Sequence, residues 1–223
     1  MRIVVYTAII GGYDTLNEPR WKSDGVDFVC FTDRNIKSKT WEIRKVTPLY
    51  EDSTRTARKY KILPHRWFPE YDYSIWQDGN FEVVGDFLKQ ITDDKMRVYD
   101  HTSCHDVRNC IYQEASAIFT LANEPGQTFK DNPSIIKDQM ERYTSDGYPS
   151  DNGLISSGVL YRKHNDPDVI ELMEHWWSEI KYGSKRDQLS FNYSAWKVGF
   201  DFDYIHKNIR RNKYFYMKEH NLT

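Results

Sequence analysis

The sequence has few of the residues that mark specialised protein classes. Its three cysteines, Cys30, Cys104 and Cys110, form an odd and widely spaced set that does not suggest a disulfide framework. Eleven glycines and eight prolines among 223 residues exclude collagen-like and low-complexity chains. Because 31 basic residues face 33 acidic ones, the chain has no positive excess to neutralise a nucleic acid backbone. These absences indicate a globular protein of a reducing compartment, with no nucleic acid partner.

Long apolar segments are also absent. The first apolar run, Ile3 to Ile10, is too short to cross a bilayer, and no small-residue cleavage site follows it. We interpret it as a buried strand, and we expect no integral membrane segment and a cytoplasmic location. The apolar 39% of the residues suffices for one sizeable core, which predicts a single domain over residues 1–223. That domain is expected to stand alone or to be part of a longer chain.

Apolar periodicity and capping residues predict the order of the elements. Strands are predicted at 3–10, 26–32, 71–77, 81–84, 154–161 and 201–205. Helices are predicted at 52–63, 111–122, 132–147, 166–183 and 186–197, with a loop over 100–110 before the second of them. Strands that alternate with helices form mostly parallel sheets with right-handed crossovers. The predicted fold class is therefore α/β, with a mostly parallel central sheet flanked by helices.

Polar residues follow three of the predicted strands. The three strand ends are Gly11-Gly12-Tyr13-Asp14, Thr32-Asp33-Arg34 and Asp78-Gly79-Asn80. In open sheets of this kind, ligands bind beyond the carboxyl ends of the strands. The sequence thus predicts the position of a binding site before any function is considered.

The segment SIWQDGN, residues 74–80, is the strongest single motif. It delivers the carboxylate of Asp78 at a strand end, and Gly79 lets the backbone approach a ligand closely. Hard divalent cations prefer oxygen ligands and often bridge to substrate phosphates. Asp78 suits that role, and Asn80 can add an amide oxygen. The alternative is an ordinary Asp-Gly turn.

The helix that precedes this strand is basic. It carries Arg55, Arg58, Lys59 and Lys61 close to one another. A solvated basic face is one interpretation. The other is that these cations meet a diphosphate, because the helix leads directly into the strand that ends at Asp78.

Two further segments carry candidate chemistry. In residues 101–115, the residues His101, Cys104, His105 and Cys110 do not match a standard zinc pattern. We expect a mobile loop there, in which Arg108 and Glu114 face a ligand or each other. In residues 185–193, Asp187 and Gln188 stand at a helix start, where an acidic residue is also favoured for purely local reasons.

Six segments together resemble a GT-A glycosyltransferase. They are VVYTAIIGGYDTL, FVCFTDR, RTARKYKILPHRWFPEYDYSIWQDGN, RNCIYQEA, GLISSGVLYRKHND and RDQLSFNYSAWK. Their order and residue sequences are similar to those of a glycosyltransferase-like family. That family includes plant wall-polysaccharide proteins and algal-virus enzymes that decorate capsid glycoproteins. The resemblance covers about residues 6–197. It implies a single-domain GT-A, Rossmann-like fold and, for a viral member, a location in the host cytoplasm.

The resemblance also implies a UDP-sugar donor and the residues that bind it. Thr7, Ala8 and Tyr13 would surround the uracil, with Asp33 nearby. Arg58 and Lys61 would reach the ribose and phosphates, and Gly79 would line the ribose.

A divalent metal, Mn²⁺ or Mg²⁺, is implied as the cofactor, with Asp78 as its ligand. The sequence departs from the usual Asp-x-Asp, because Asn80 replaces the second carboxylate. A third ligand, commonly histidine, comes from near the C-terminus in such enzymes. His220 and His206 are the candidates, and His220 is preferred because it lies beyond the last predicted strand.

The implied reaction is transfer of a hexosyl group from the UDP-sugar to a glycan or glycoprotein acceptor. Asp187 and Gln188 resemble the arrangement of retaining enzymes, in which these side chains approach the donor sugar. Asp151 is expected to position the acceptor or act as a base. One alternative is a catalytically silent module that binds sugars or nucleotide sugars. Another is a sugar nucleotidyltransferase, whose Gly-rich basic N-terminal loop is missing here.

Overall fold

The computed structural model describes residues 1–220. The strands are β1 Ile3–Ile9, β2 Val26–Thr32, β3 Glu42–Lys45, β4 Tyr73–Gln77, β5 Phe81–Val83, β6 Met96–Asp100, β7 Ile155–Arg162, β8 Asp203–Ile205 and β9 Phe215–Met217. The helices are α1 Ser53–Ile62, α2 Ile111–Ala122, α3 Pro133–Ser145, α4 Pro167–Tyr182 and α5 Gln188–Val198. Short 3₁₀ turns follow α1, β5 and β6.

Seven strands form one sheet in the order β3-β2-β1-β4-β7-β6-β8. All neighbouring pairs are parallel except those that β7 makes with β4 and β6. The predicted α/β class and mostly parallel central sheet are confirmed, and the arrangement is compatible with a single-domain Rossmann-like fold. The carboxyl ends of β1, β2, β4 and β6 therefore share one edge of the sheet, where β7 begins.

The central strand β1 is buried along its whole length, as its β-branched sequence predicts. Alternate residues enter two different cores. Val4 and Tyr6 pack with side chains of α1, α4 and α5 on one face. Ile3 and Val5 pack on the other face, which β5, β9 and the adjoining turns cover. The tryptophan pair of α4 belongs to the first core.

Three strands escaped the sequence prediction. The edge strand β3 has the sequence EIRK, with one apolar residue, and its burial is correspondingly low. The apolar pattern of β6 is broken by Arg97, whose guanidinium binds Asp203 of β8 at 2.6 Å. The strand β9 has three residues and lies in a segment that was predicted to be a polar tail.

The strand predicted at residues 81–84 forms, as β5. The strand β5 does not extend the central sheet but pairs with β9 in a separate two-stranded sheet. Beyond β9, the N–H of Lys218 donates to the carbonyl of Asn80 at 2.9 Å. This pairing brings the following His220 to the sheet edge where β4 ends. No helix within residues 1–220 combines the length and the apolar character needed to cross a membrane.

Gly85 follows β5 and lies against the backbone that leads into β9. A Cβ at that position would lie 2.1 Å from the carbonyl oxygen of Lys213, so the close approach requires glycine. We expect Gly85→Ala to lower the free energy of unfolding by about 2–3 kcal/mol, since the backbone strand beside it must move. Urea denaturation measures this change. Gly25→Ala is the comparison, because it meets positive-φ strain but no neighbouring atom, and it is expected to cost about 1 kcal/mol. Equal losses would contradict the steric argument.

Candidate functional site

A cavity of about 820 Å³ opens at the sheet edge that the polar strand ends predicted. Its walls come from the end of β1, the first turns of α1, the end of β4, the segment before α5, and the C-terminal segment. Six of the predicted site residues line it: Ala8, Tyr13, Arg58, Asp78, Gly79 and His220. A second cavity of about 790 Å³ lies between α2 and α3, away from the strand ends.

Two carboxylates and two cations form a cluster at the base of this cavity. Lys61 Nζ lies 2.5 Å from Asp187 Oδ2 and 3.1 Å from Asp78 Oδ1. Arg58 Nε lies 3.2 Å from Asp187 Oδ2, and its Nη1 lies 3.7 Å from Asp78 Oδ1. Arg58 and Asp78 line the cavity, whereas Lys61 and Asp187 lie behind them. The four charges balance one another.

The basic helix is therefore not a solvated face at its functional end. The side chain of Lys61 is fully buried, and its backbone carbonyl accepts a hydrogen bond from Tyr6 Oη at 2.7 Å. Arg55 instead binds the carbonyls at the end of α4, including that of Lys181 at 3.1 Å. Lys59 stays partly exposed. The solvated interpretation is wrong for Lys61, and Arg55 is held against the end of α4.

The side chain of Asp187 does not cap α5, although it stands at the N-cap position. It turns inward to Lys61 and also accepts a hydrogen bond from Ser157 Oγ at 3.1 Å. Burial alone would raise the pKa of the Asp187 carboxyl, but the charges of Arg58 and Lys61 outweigh burial and hold the pKa well below its usual range. Asp187 is therefore a buried and permanent anion at neutral pH.

Hydrogen bonds hold both the backbone and the side chain of Asp78 at the end of β4. Its N–H donates to the carbonyl of Gly158 on β7 at 2.8 Å, and its own carbonyl accepts from the N–H of Phe81. The indole N–H of Trp76 donates to Asp78 Oδ1 at 2.8 Å. The Asp78 side chain remains 29% exposed and faces the cavity.

A second acidic residue, Asp14, lies beside Asp78. Its Oδ1 accepts from His220 Nδ1 at 2.7 Å, and its carboxylate packs against Gly79. Burial raises the pKa of Asp14; the hydrogen bond and charge of His220 oppose that rise, and the charge of Asp78 adds to it. The Tyr13 ring meets the His220 ring edge-on at 4.9 Å. The polar strand end had located Asp14, but no role was assigned to it.

The structure places only some of the predicted metal ligands in the cavity. Asp78 and His220 line the cavity, while Asn80 is buried and donates from Nδ2 to the carbonyl of Lys218 at 3.0 Å. His206 is paired with Asp100 at 3.0 Å, at the end of β6. Within residues 1–220, no group of three or more His, Cys, Asp or Glu side chains is arranged to hold a metal ion. This covers the His101–Cys110 segment as well.

These donors fit a hard cation whose coordination is completed by its substrate. The carboxylates of Asp14 and Asp78 line one wall of the cavity and would supply oxygen ligands, and the His220 imidazole is hydrogen-bonded to Asp14 beside them. Such cations are commonly held by one or two carboxylates together with phosphate oxygens.

Other predicted residues lie outside the cavity. Thr7 is buried within β1, and its hydroxyl has no hydrogen-bond partner among the described residues. Asp33 accepts from the N–H of Gly11 at 3.0 Å and so fixes the turn after β1. Gln188 Nε2 donates to the carbonyl of Ile155 at 2.8 Å, which ties α5 to β7. Asp151 is exposed on the turn before β7, with a φ of 55°.

Ion pairs link the segment 101–115 to a residue of the cavity wall. Arg108 Nε binds Glu114 Oε2 at 2.6 Å, so these side chains face each other, which was one of the two predicted outcomes. The buried Glu114 also lies 3.7 Å from Arg186, a cavity residue. Lys185 Nζ, also in the cavity wall, binds Asp52 at 2.7 Å and joins the start of α1 to the segment before α5.

The pH dependence of stability provides a test of the buried cluster. Asp187→Asn is expected to lower the free energy of unfolding at pH 7 by about 3 kcal/mol, because it leaves buried cations with one carboxylate fewer. The folded-state pKa of Asp187 lies below its unfolded value of about 4. Its contribution is therefore present above that value and is lost as pH falls through the folded-state pKa. Urea denaturation should show the difference between parent and variant shrinking as pH falls below about 4.

Asp151→Asn is the matched control for this experiment. Asp151 is exposed, and asparagine tolerates its positive φ, so the variant is expected to unfold like the parent at every pH. A gap between parent and Asp187→Asn that stays constant with pH would contradict the assigned ionisation.

Comparison with known proteins identifies the family of the chain. Residues 1–220 match the family described as TOD1/MUCI70, glycosyltransferase-like domain. A probable hexosyltransferase, MUCI70, of Arabidopsis thaliana is 27% identical over 221 residues, which cover 85% of this chain and 36% of that protein. The chain thus spans about a third of that relative's length. The resemblance inferred from the six sequence segments is confirmed: the chain belongs to the TOD1/MUCI70 family of glycosyltransferase-like proteins.

Proposed function

We propose that the chain is a metal-dependent hexosyltransferase that moves a sugar from a UDP-sugar to a glycan or glycoprotein acceptor with retention of configuration. Membership of a glycosyltransferase-like family and likeness to a probable hexosyltransferase support the transferase class. The observation that carries the proposal is the carboxylate of Asp78, partly exposed at the base of the cavity and flanked by the buried Lys61 and the partly buried Arg58.

The cavity offers separate surfaces for the parts of a UDP-sugar. Ile9, Ile10 and Tyr13 give an apolar and aromatic wall that suits a nucleobase. Arg58 and Arg186 add fixed positive charge that suits phosphate oxygens. These surfaces lie on the side of the cavity where β1, α1 and the segment before α5 converge.

Asp78, Asp14 and His220 would hold the divalent metal. When bound, a metal of this kind neutralises the charge that develops on a departing diphosphate. The protein's own cations act in the same direction. Arg58 lines the cavity beside Asp78, and Arg186 stands on the wall contributed by the segment before α5. Fixed charges that are already in place stabilise a leaving group without reorganisation.

The chemistry of Asp187 favours retention. A general base works best with a pKa near the operating pH. The cations beside Asp187 hold its pKa well below its usual range, which makes it a poor base but a stable anion. Such an anion suits electrostatic stabilisation of positive charge on the anomeric carbon from the donor's own face, across the cavity lining behind which its side chain lies. Asp151, on the exposed turn before β7, is the proposed acceptor-positioning residue or base.

A non-catalytic module that binds nucleotide sugars is the second candidate. The observation that favours it is Asn80, which stands where a second carboxylate is usual and points to the Lys218 carbonyl. Slow hydrolysis of a UDP-sugar in the absence of acceptor separates the two functions, because a binding module releases no UDP.

Binding of UDP tests the donor site directly. We expect Mn²⁺ to increase the affinity for UDP, and we expect Asp78→Asn to abolish most of that increase because the variant lacks the exposed carboxylate. Isothermal titration with and without Mn²⁺ measures both affinities. Asp138→Asn, on the exposed face of α3, removes a carboxylate elsewhere and should bind like the parent. Equal Mn²⁺-dependent affinities for parent and Asp78→Asn would contradict the donor-site assignment.

Turnover tests the two remaining aspartates. A panel of UDP-sugars, followed by UDP release with and without glycoside acceptors, identifies the donor. Asp187→Asn is expected to lower both hydrolysis and transfer by about 10²–10⁴-fold, with UDP affinity nearly unchanged. Asp151→Asn should lower transfer more than hydrolysis, since its proposed partner is the acceptor. A product with inverted anomeric configuration by NMR, formed by an enzyme that needs Asp151 but not Asp187, would exclude the retaining proposal.

A further inference from the structure

We infer that Trp76 is a positioning residue for Asp78: its indole N–H fixes one carboxylate oxygen so that the other is presented to the cavity. The inference rests on the proposed function, because the presented oxygen is the proposed metal ligand. It concerns a side chain that lies in the cavity wall and to which the sequence assigned no role.

The first observation is that the two oxygens of Asp78 have different surroundings. Oδ1 receives the indole N–H of Trp76 at 2.8 Å and the ammonium of Lys61 at 3.1 Å. Arg58 Nη1 also approaches Oδ1, at 3.7 Å. Every described hydrogen bond and ion pair of the carboxylate uses this one oxygen. The partly exposed side chain therefore has Oδ2 as its oxygen for a ligand.

The second observation is the spacing of the two residues. Trp76 lies on β4 two positions before Asp78, so both side chains lie on the same face of the chain as it leaves the strand. The register is held on both sides, by pairing with Tyr6 of β1 and with Leu160 of β7. This fixed backbone sets the direction from which the indole meets the carboxylate.

The third observation is that the indole itself cannot turn away. Its ring is 1% exposed and meets the Tyr6 ring edge-on at 5.1 Å. A buried indole N–H requires an acceptor, and Asp78 Oδ1 supplies it. Lys61 Nζ lies 5.6 Å from the centre of the same ring. Trp76 thus contacts both the carboxylate and the cation that share Oδ1.

These contacts explain why the carboxylate has one defined orientation. Lys61 and Arg58 also approach Oδ1 of Asp78, but both cations are shared with Asp187, to which they lie closer. Trp76 has Asp78 as its hydrogen-bond acceptor and adds a directional bond to it. Groups that orient a metal ligand in this way typically change metal affinity by about 10–100-fold when they are removed.

The test compares variants that remove the N–H donor. Trp76→Phe deletes the donor but leaves space in the core. Replacement of Trp76 by 3-benzothienylalanine, introduced by codon suppression, keeps the ring shape and lacks the N–H. Trp196→Phe, on the partly exposed face of α5, is the matched tryptophan control. Titration calorimetry measures UDP binding with Mn²⁺, UDP binding without metal, and uridine binding. Thermal unfolding checks that each variant is folded.

We expect the benzothienylalanine protein to lose about 10–100-fold in affinity for UDP with Mn²⁺, while its affinities for metal-free UDP and for uridine stay at the parent values. A purely structural role would lower all three affinities together and would overturn the inference. Equal Mn²⁺-dependent affinity in the parent and the benzothienylalanine protein would also overturn it. Failure of the proposed function is distinct, because the parent itself would then show no Mn²⁺-dependent UDP binding.

Discussion

The buried ammonium group of Lys61 is the interaction on which the site depends. It lies between Asp78, at the end of β4, and Asp187, at the start of α5, and it reaches both from the last turn of α1. A buried charge is stable only when it is paired. The three elements must therefore meet at this point for any of them to be placed correctly. Tyr6 extends the constraint to β1, because its hydroxyl binds the backbone carbonyl of Lys61.

Most of the strands and helices could be predicted from the sequence because they follow from local residue patterns. The β-branched and buried β1, the Asp52 and Asp166 caps, and the Gly79 turn each follow from residues close together in the sequence. The positions of the polar strand ends also followed, since the ends of parallel strands share one edge. Both the cavity and the exposed carboxylate of Asp78 lie at that edge. The elements that were missed, β3, β6 and β9, owe their form to strand pairing and not to their own composition.

The side-chain contacts within the site could not be predicted from local patterns. Asp14 and His220 are 206 residues apart in sequence, and their contact exists because β9 pairs with β5. The sequence also could not predict that the Lys61 side chain points into the protein, because a helix with several cations does not indicate which one is buried. Asp187 stands at a helix start, where a capping role was a sufficient local explanation, yet its side chain leaves the helix for Lys61. Contacts between distant segments decide all three cases.

The contact between Asp14 and His220 also makes one wall of the cavity separable from the central sheet. His220 follows β9, which pairs with β5 and belongs to the small sheet, not to the seven-stranded one. Asp14 and Asp78, by contrast, follow β1 and β4 of the central sheet. Loss of the pairing between β5 and β9 would therefore open the cavity on the side of His220 while the strands that present the two carboxylates stay paired.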